Sequence, residues 1–329
     1  MAGAMKNVLL KLFHKPAHSE GVAGIALAPG GVSLARIVRT EGGRPRVTLC
    51  VHHALPDERG ESFAALVRQH GLADARCVEL LEVNSYQLLL VEAPNVTPAE
   101  LKAAVRWRIK DLINFHIDDA VIDVFDIPAQ NLSGQSRMMY VVVTRAALVQ
   151  EHIALVKNAG LDLAVIDIPE MALRNITALF PEDSAGVVLV HLTPQGGHII
   201  LTRAGTLYLA RKIELNFARL FSGLEAARPD EALPDDVQRL LDNIVLEVQR
   251  SLDYCESHYS QPSITHLLFA PLERELPGAV NHVANSLGLK VRQIDLNEVL
   301  QCEAPLSRTL QAQCLLAVGA ALRDAASLQ

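Results

Sequence analysis

A chain of 329 residues, 50% of them hydrophobic, is long enough for two domains and a sizeable core. Its formal charge of −7, with 30 scattered lysines and arginines, argues against nucleic acid as a partner. No run reaches the ~18 apolar residues a membrane-spanning helix needs, and the 5 cysteines (Cys50, Cys77, Cys255, Cys302, Cys314) are dispersed without a CxxC pair, which suits free thiols in a reducing compartment.

Met1 to Ala4 reads as an expression scar ahead of a native Met5, and no secretory apolar core follows. The expectation is a cytoplasmic protein. Lys6 to Lys15 mixes Val8, Leu9, Leu10, Leu12 and Phe13 with three lysines. Such a segment suits an anionic membrane surface or a docked terminus, and its shortness favours the second.

Gly21 to Ala28 and Val32 to Val38 are apolar runs around Pro29, Gly30 and Gly31, the chemistry of a β-hairpin. Arg46 to Leu55 supplies a third strand. Glu58 to His70 is helical, with Phe63, Leu66 and Val67 on one face and Gly71 ending it. Cys77 to Val83 is another strand, and Ser85 to Glu92 is extended.

Thr97, Pro98 and Glu100 then open a helix as N-cap, first helical proline and first-turn carboxylate. At ~100° per residue, Leu101, Val105, Ile109, Leu112 and Phe115 form one stripe. Trp107, the only tryptophan, falls to the side near Asp111, flanked by Arg106 and Arg108. It packs under a loop or stands exposed as an aromatic anchor. Ala120 to Pro128 and Arg137 to Arg145 follow as strands, making a small α/β layer inserted into something larger. The helix Ala146 to Ala159, C-capped by Gly160, closes it. Leu161 to Ile168 is a buried strand, and Pro169 starts a helix to Phe180.

The pattern then restarts. Gly186 to Thr193, a turn over Pro194 to Gly197, and His198 to Arg203 repeat the opening hairpin. Thr206 to Ile213 is a third strand, and helices follow at Asn216 to Leu224 and Asp235 to Tyr259. Ile264 to Ala270 is a strand, Leu276 to Leu287 a helix, Leu289 to Leu296 a strand, and Leu306 to Arg323 a final helix. Two copies of one α/β unit predict two facing lobes with a cleft between them.

Competing chemistries fare poorly. Paired glycines at Gly30-Gly31 and Gly196-Gly197 suit hairpin turns better than a phosphate cradle. Cys255 and His258, with His266 as third ligand, are better read as packing plus surface histidines than as a metal site. Asp123 and Asp126 fall on opposite faces of their strand, and no GxSxG nucleophile motif occurs.

The segments WRIKDLINF (Trp107 to Phe115), DAVIDVFDIP (Asp119 to Pro128), YVVVTRAALVQEH (Tyr140 to His152) and EVQRSLDYCESHY (Glu247 to Tyr259) resemble the PilM-like proteins of type IV pilus assembly. Within that family they are most similar to the MshI branch, of mannose-sensitive haemagglutinin (MSHA) pilus biogenesis. The resemblance implies an α/β, actin-like ATPase (duplicated ribonuclease-H-like) fold. It implies a first lobe over residues 1–185, with a subdomain inserted at about 85–160 and completed by a C-terminal helix at 306–329, and a second lobe over 186–305.

Active members of the fold carry acidic residues in both hairpins and a Gly-Gly that meets adenosine. Here Ala26 and His191 replace the acids. Ala28, Pro29, Gly30 and Gly31 replace the phosphate turn, His191-Leu192-Thr193 the second motif, and Ala270-Pro271 the Gly-Gly. Pro29 also removes an N–H donor. Without the two carboxylates nothing hard remains to hold Mg²⁺. The expectation is therefore no cofactor, no catalytic residue and no metal.

The resemblance implies an adaptor, cytoplasmic and peripheral at the inner membrane. It would dock a short cytoplasmic peptide of a PilN-like inner-membrane protein through Trp107, Arg106, Arg108 and Asp111, with the assembly ATPase as a further partner. The alternative is a switch that still binds ATP between the lobes.

Overall fold

The computed structural model describes residues 21–40, 42–55, 59–127, 136–218, 221, 233–259, 263–273 and 277–323. The expectations for Met1 to Ala4, for Lys6 to Lys15 and for most of a helix at Asn216 to Leu224 lie outside the described residues.

The first half carries β1 (Val22–Ala28), β2 (Gly31–Val38), β3 (Arg46–Ala54), α1 (Arg59–Gln69) and β4 (Arg76–Leu80). The inserted layer is β5 (Tyr86–Glu92), α2 (Pro98–Ile109), β6 (Ala120–Asp126) and β7 (Met138–Arg145). Next come α3 (Ala146–Asn158), β8 (Asp162–Asp167) and α4 (Pro169–Thr177). The second half holds β9 (Val187–Thr193), β10 (Gly196–Arg203), β11 (Thr206–Ile213), α5 (Asp235–His258), β12 (His266–Phe269), α6 (Pro277–Leu287), β13 (Lys290–Gln293) and α7 (Arg308–Ala321).

Two five-stranded sheets share one plan, β3-β2-β1-β4-β8 and β11-β10-β9-β12-β13. Each is an antiparallel hairpin continued by parallel strands. The registers superpose. Ala28 opposite Gly31 closes the first hairpin and Thr193 opposite Gly196 the second. The cross-strand pair Ala26/Ser33 thus stands where His191/His198 stands in the second copy. This repeated plan is the actin-like architecture.

Alternation along the strands splits each sheet into two faces. Ile25 and Leu34 of the first sheet pack with Phe63 and Val67 of α1 and Val156 of α3. Helix α3 therefore lies on the first sheet as well as closing the insert. The outer face of the second sheet, with Val188, Val190 and Leu209, is covered by Val237, Leu241, Ile244 and Val248 of α5. Between the two sheets lie α4 and α7, where Cys314, Leu315, Ala317 and Val318 join Ala35 and Ile37 from one side and Leu189, Ile200 and Leu268 from the other.

Small residues bring α7 close. A Cβ on Gly24 would stand 1.9 Å from the Ala317 carbonyl oxygen, and one on Gly319 would stand 2.3 Å from that of Ala172. The Ser33 hydroxyl donates to the Gln313 carbonyl at 2.7 Å, and the Asn175 amide donates to that of Gly319 at 2.9 Å. Of the residues expected to face inward on this helix, Cys314, Ala317 and Leu322 are buried and Leu310 is half-buried.

The inserted sheet runs β5-β7-β6. Helix α2 covers one face, with Val105 and Ile109 packed on Val91, Met139, Val141 and Val143. The opposite face, with Tyr140, Leu88, Leu90 and Phe125, joins the core of the second sheet. There the Ala210 amide donates to the Tyr140 hydroxyl at 2.9 Å.

Several expectations need correcting. The stripe on α2 does not reach Leu112, because the helix ends at Ile109 and leaves Leu112 57% exposed. Asp111 and Asn114 favour turns over helix, and Ile113 and Phe115 fold back onto the layer instead. In the second hairpin only Pro194 and Gln195 make the turn, and both glycines belong to β10. A Cβ on Gly196 would meet the Ile213 carbonyl oxygen and one on Gly197 that of His191, each at 2.8 Å. These glycines serve close strand approach rather than turning. The strands expected over Ile264 to Ala270 and Leu289 to Leu296 shorten to four residues each, and α4 stops at Thr177, short of Phe180.

Candidate functional site

Each hairpin carries one of the cross-strand pairs Ala26/Ser33 and His191/His198 next to its tip. In the first copy Ala26 is half-buried, while Ala28, Pro29 and Gly30 form the exposed tip and Gly31 is buried. Gly30 adopts φ +80°, the left-handed region that glycine enters without Cβ strain. Its carbonyl accepts from the Leu55 amide at 2.9 Å.

In the second copy the rings of His191 and His198 stack with centroids 6.0 Å apart, and both side chains are buried. Burial pushes His191 down to about 4. Burial and the neighbouring ring together push His198 to about 3. Both imidazoles are therefore neutral at physiological pH. The Thr193 hydroxyl donates to the Gly196 carbonyl at 3.1 Å. The Ala270 amide donates to the Val190 carbonyl at 2.9 Å, and Ala270 and Pro271 are buried. Across these positions the side chains supply a methyl, two uncharged rings and a hydroxyl already used. A hard cation bridging phosphates requires oxygen ligands, and Ala26 and His191 offer none.

Beside the histidines lies a polar group that no local pattern in the sequence had marked. Glu170, in the first turn of α4, is buried, and its carboxylate accepts from the Tyr86 hydroxyl at 2.6 Å. Burial raises the Glu170 carboxyl above its ordinary range, and the Tyr86 bond opposes that rise. His198 Nε2 stands 3.9 Å from Glu170, too far for a hydrogen bond. With its imidazole neutral, this contact is not an ion pair. In the sequence Glu170 reads as an ordinary first-turn acid, and only folding brings it to Tyr86, 84 positions away.

The second candidate region is the outer side of the inserted layer. Trp107 is 73% exposed on the open face of α2, nearly opposite Val105 and Ile109. That exposure places it on an open helix face rather than between two walls. The arginines beside it in sequence diverge in space. Arg106 donates to the Ile117 carbonyl at 2.7 Å near the start of β6, and Arg108 pairs with Glu92 of β5 at 2.8 Å. Asp111 is exposed just beyond the helix end. The cation nearest the indole is one the sequence reading missed: Lys110 Nζ lies 5.2 Å from the ring centroid.

The metal reading of Cys255, His258 and His266 finds no support in geometry. His258 Nδ1 is within hydrogen-bond distance of the Tyr254 carbonyl and the Ser257 hydroxyl, and His266 Nδ1 of the Thr265 hydroxyl. Among the described residues no three His, Cys, Asp or Glu side chains group around a metal position. All five cysteines are free. No helix among the described residues is long and apolar enough to cross a membrane.

Comparison with known proteins follows this geometry. The family model described as type IV pilus assembly protein PilM matches residues 85–325. A structure of a PilM–PilN type IV pilus biogenesis complex is similar at 18% identity with a TM-score of 0.70, covering 93% of this chain and 99% of that one. Two looser likenesses, both below a TM-score of 0.5, carry no argument. One is a Bacteroides thetaiotaomicron protein with an actin-like ATPase fold and unknown function, at 7% identity and TM-score 0.49, covering 90% of this chain and 95% of that one. The other is the cytoplasmic domain of EpsL, an inner-membrane component of the type II secretion system of Vibrio cholerae, at 13% identity and TM-score 0.47, covering 90% and 93%. No curated protein sequence matches the chain. With nearly three-quarters of its length under the family model and one sheet plan used twice, the chain belongs to the PilM family of type IV pilus assembly proteins, on an actin-like fold.

Proposed function

We propose that the protein is a non-catalytic adaptor of type IV pilus assembly, cytoplasmic and peripheral at the inner membrane. In this reading it docks a short cytoplasmic peptide of a PilN-like inner-membrane protein on its inserted layer, within the MSHA type of system, and also meets the assembly ATPase. The carrying observation is where apolar surface is left open. Of the five large hydrophobic side chains exposed among the described residues, Val96, Trp107, Leu112 and Val121 lie on the inserted layer and only Leu246 lies elsewhere. Isolated exposed hydrophobes are ordinary, and the fall of four of the five on this small layer supports reading it as the docking region.

Aromatic anchors dominate such interfaces, and truncating one commonly costs ~2 kcal/mol or more of binding. Trp107→Ala should therefore weaken capture of the PilN-like tail peptide at least ~30-fold while leaving the melting temperature unchanged. The side chain is solvent-facing, so the core loses nothing. Titration of the peptide into both proteins checks this, and equal affinity with equal melting moves the docking site elsewhere.

The non-catalytic part rests on Ala26, His191 and Ala270-Pro271. Calorimetric titration with ATP and Mg²⁺ should show no binding tighter than ~1 mM, about −4 kcal/mol. A tighter constant would favour the alternative, a nucleotide-dependent switch on the same frame.

A further inference from the structure

On the side of the first sheet away from α7, two histidines face each other. His53 of β3 stands opposite Val32 of β2, and Val32 packs with Phe63 and Val67 of α1. Alternation therefore turns His53 toward that helix. His70 follows the last residue of α1, and its amide still donates to the Leu66 carbonyl at 3.0 Å, so it keeps the helical path. The two imidazoles meet Nε2 to Nε2 at 2.8 Å, with ring centroids 4.9 Å apart and planes inclined by 40°. Both residues are half-buried, so solvent reaches them. The pair belongs to β3 and α1, outside both the hairpin tips and the inserted layer.

Two facing imidazole nitrogens bind each other or a cation between them. As neutral rings they make one hydrogen bond, Nε2–H to Nε2, whose direction the tautomers set. Burial, reinforced by the neighbouring His53, lowers His70 below the ordinary imidazole range and favours its neutral form. A neutral ring can instead carry its proton on Nδ1, and two such rings present two Nε2 lone pairs to a cation. Imidazole nitrogen suits Zn²⁺ and its transition-metal neighbours rather than Mg²⁺ or Ca²⁺. Zn–N bonds of ~2.0–2.1 Å at a tetrahedral angle set two nitrogens about 3.3 Å apart, so this pair need open by only about 0.5 Å. Phe63 and Val67 anchor the helix on the sheet, so little ordering remains for the ion to impose. We propose that Nε2 of His53 and Nε2 of His70 hold a zinc-class divalent ion, with water at its remaining positions. The ion clips the end of α1 to β3. Among the described residues no third His, Cys, Asp or Glu side chain joins the two rings, so the site is an open two-residue clamp.

The test uses the full chain, stripped of metal with a chelator, and zinc chloride as the probe at about pH 7.5, where imidazole is neutral. Calorimetric titration should show an equivalent of zinc bound with a Kd on the order of 10 µM, since the second imidazole binds intramolecularly. His53→Gln and His70→Gln each remove one ligand and should weaken that equivalent at least ~10-fold. Should one variant fail to fold, the other decides. Nitrogen NMR of the native chain gives a reading that needs no variant: zinc should shift the Nε2 signals of two of the 12 histidines together. Zinc binding weaker than ~100 µM, a loss below ~10-fold in a folded variant, or ring signals that zinc leaves in place overturns the proposal and leaves the pair as a hydrogen bond alone.

Discussion

The two hairpins make a controlled comparison, because the backbone is the same and the side chains are not. At matching positions the first copy carries Gly24 opposite Ala35 and Ala26 opposite Ser33. The second carries Leu189 opposite Ile200 and His191 opposite His198. Small residues in the first let α7 lie directly on the sheet, down to the contact between Gly24 and Ala317. Large ones in the second fill the space from the sheet side, so helix and sheet meet through side chains instead. The neighbouring strands diverge too. Ile25 pairs with Glu79, buried and bonded to His152, while its counterpart Val190 pairs with Phe269. Duplication fixes the path of the chain, and side-chain volume decides how closely a helix can lie on each copy.

Making the first copy like the second at one position should break this arrangement most. Gly24→Leu puts a side chain into the backbone of α7, and neither backbone can yield by 1 Å or more without losing its own hydrogen bonds. Overpacking of a tight core costs 1–3 kcal/mol and sometimes more, and here more than ~3 kcal/mol is expected. Urea unfolding measures it. A loss below ~1 kcal/mol would mean that α7 is not seated on Gly24.

Acid sharpens the comparison from the other side. Burial depresses His191 and His198 to about 4 and about 3, from an ordinary value of 6.5. The unfolded chain therefore binds protons that the folded chain refuses. Their contribution to stability is present above pH ~6.5 and is lost as pH falls toward 4. On the order of 3 kcal/mol is at stake for each buried ring. Ala26 and Ser33 cannot titrate, so at these matched positions the loss belongs to the second copy. Unfolding midpoints from pH 7 to 4.5 should fall steeply in the native protein and less steeply in His191→Leu/His198→Leu. Parallel slopes would show that the histidines are not buried neutral.

The smallest effect separates the tips. Gly30 holds φ +80° with nothing within 4 Å of a would-be Cβ. Gly30→Ala should cost only ~1 kcal/mol, from backbone strain without a clash. Gln195 serves as a turn residue of the second tip, so the left-handed glycine is a feature of the first. A melting temperature unchanged within error would show that the first tip relaxes to another turn type.

The repeated order of elements was legible in the sequence because it rests on local rules. Strand–proline–glycine–strand spacing, helical stripes such as Val105 to Ile109, and the Thr97-Pro98 start of α2 depend on nearby residues alone. The absence of acids at Ala26 and His191 was legible for the same reason, since identity at a motif position needs no coordinates. Other features were decided only by the fold. The end of α2 at Ile109 depended on where Ile113 and Phe115 could find apolar surface. The divergence of Arg106 and Arg108 depended on carbonyls and carboxylates at the two edges of a sheet. Tyr86, Glu170, His191 and His198 come from three separate stretches of chain. Their burial, and the proton affinities that follow from it, exist only once the inserted layer, α4 and the second sheet have excluded water together.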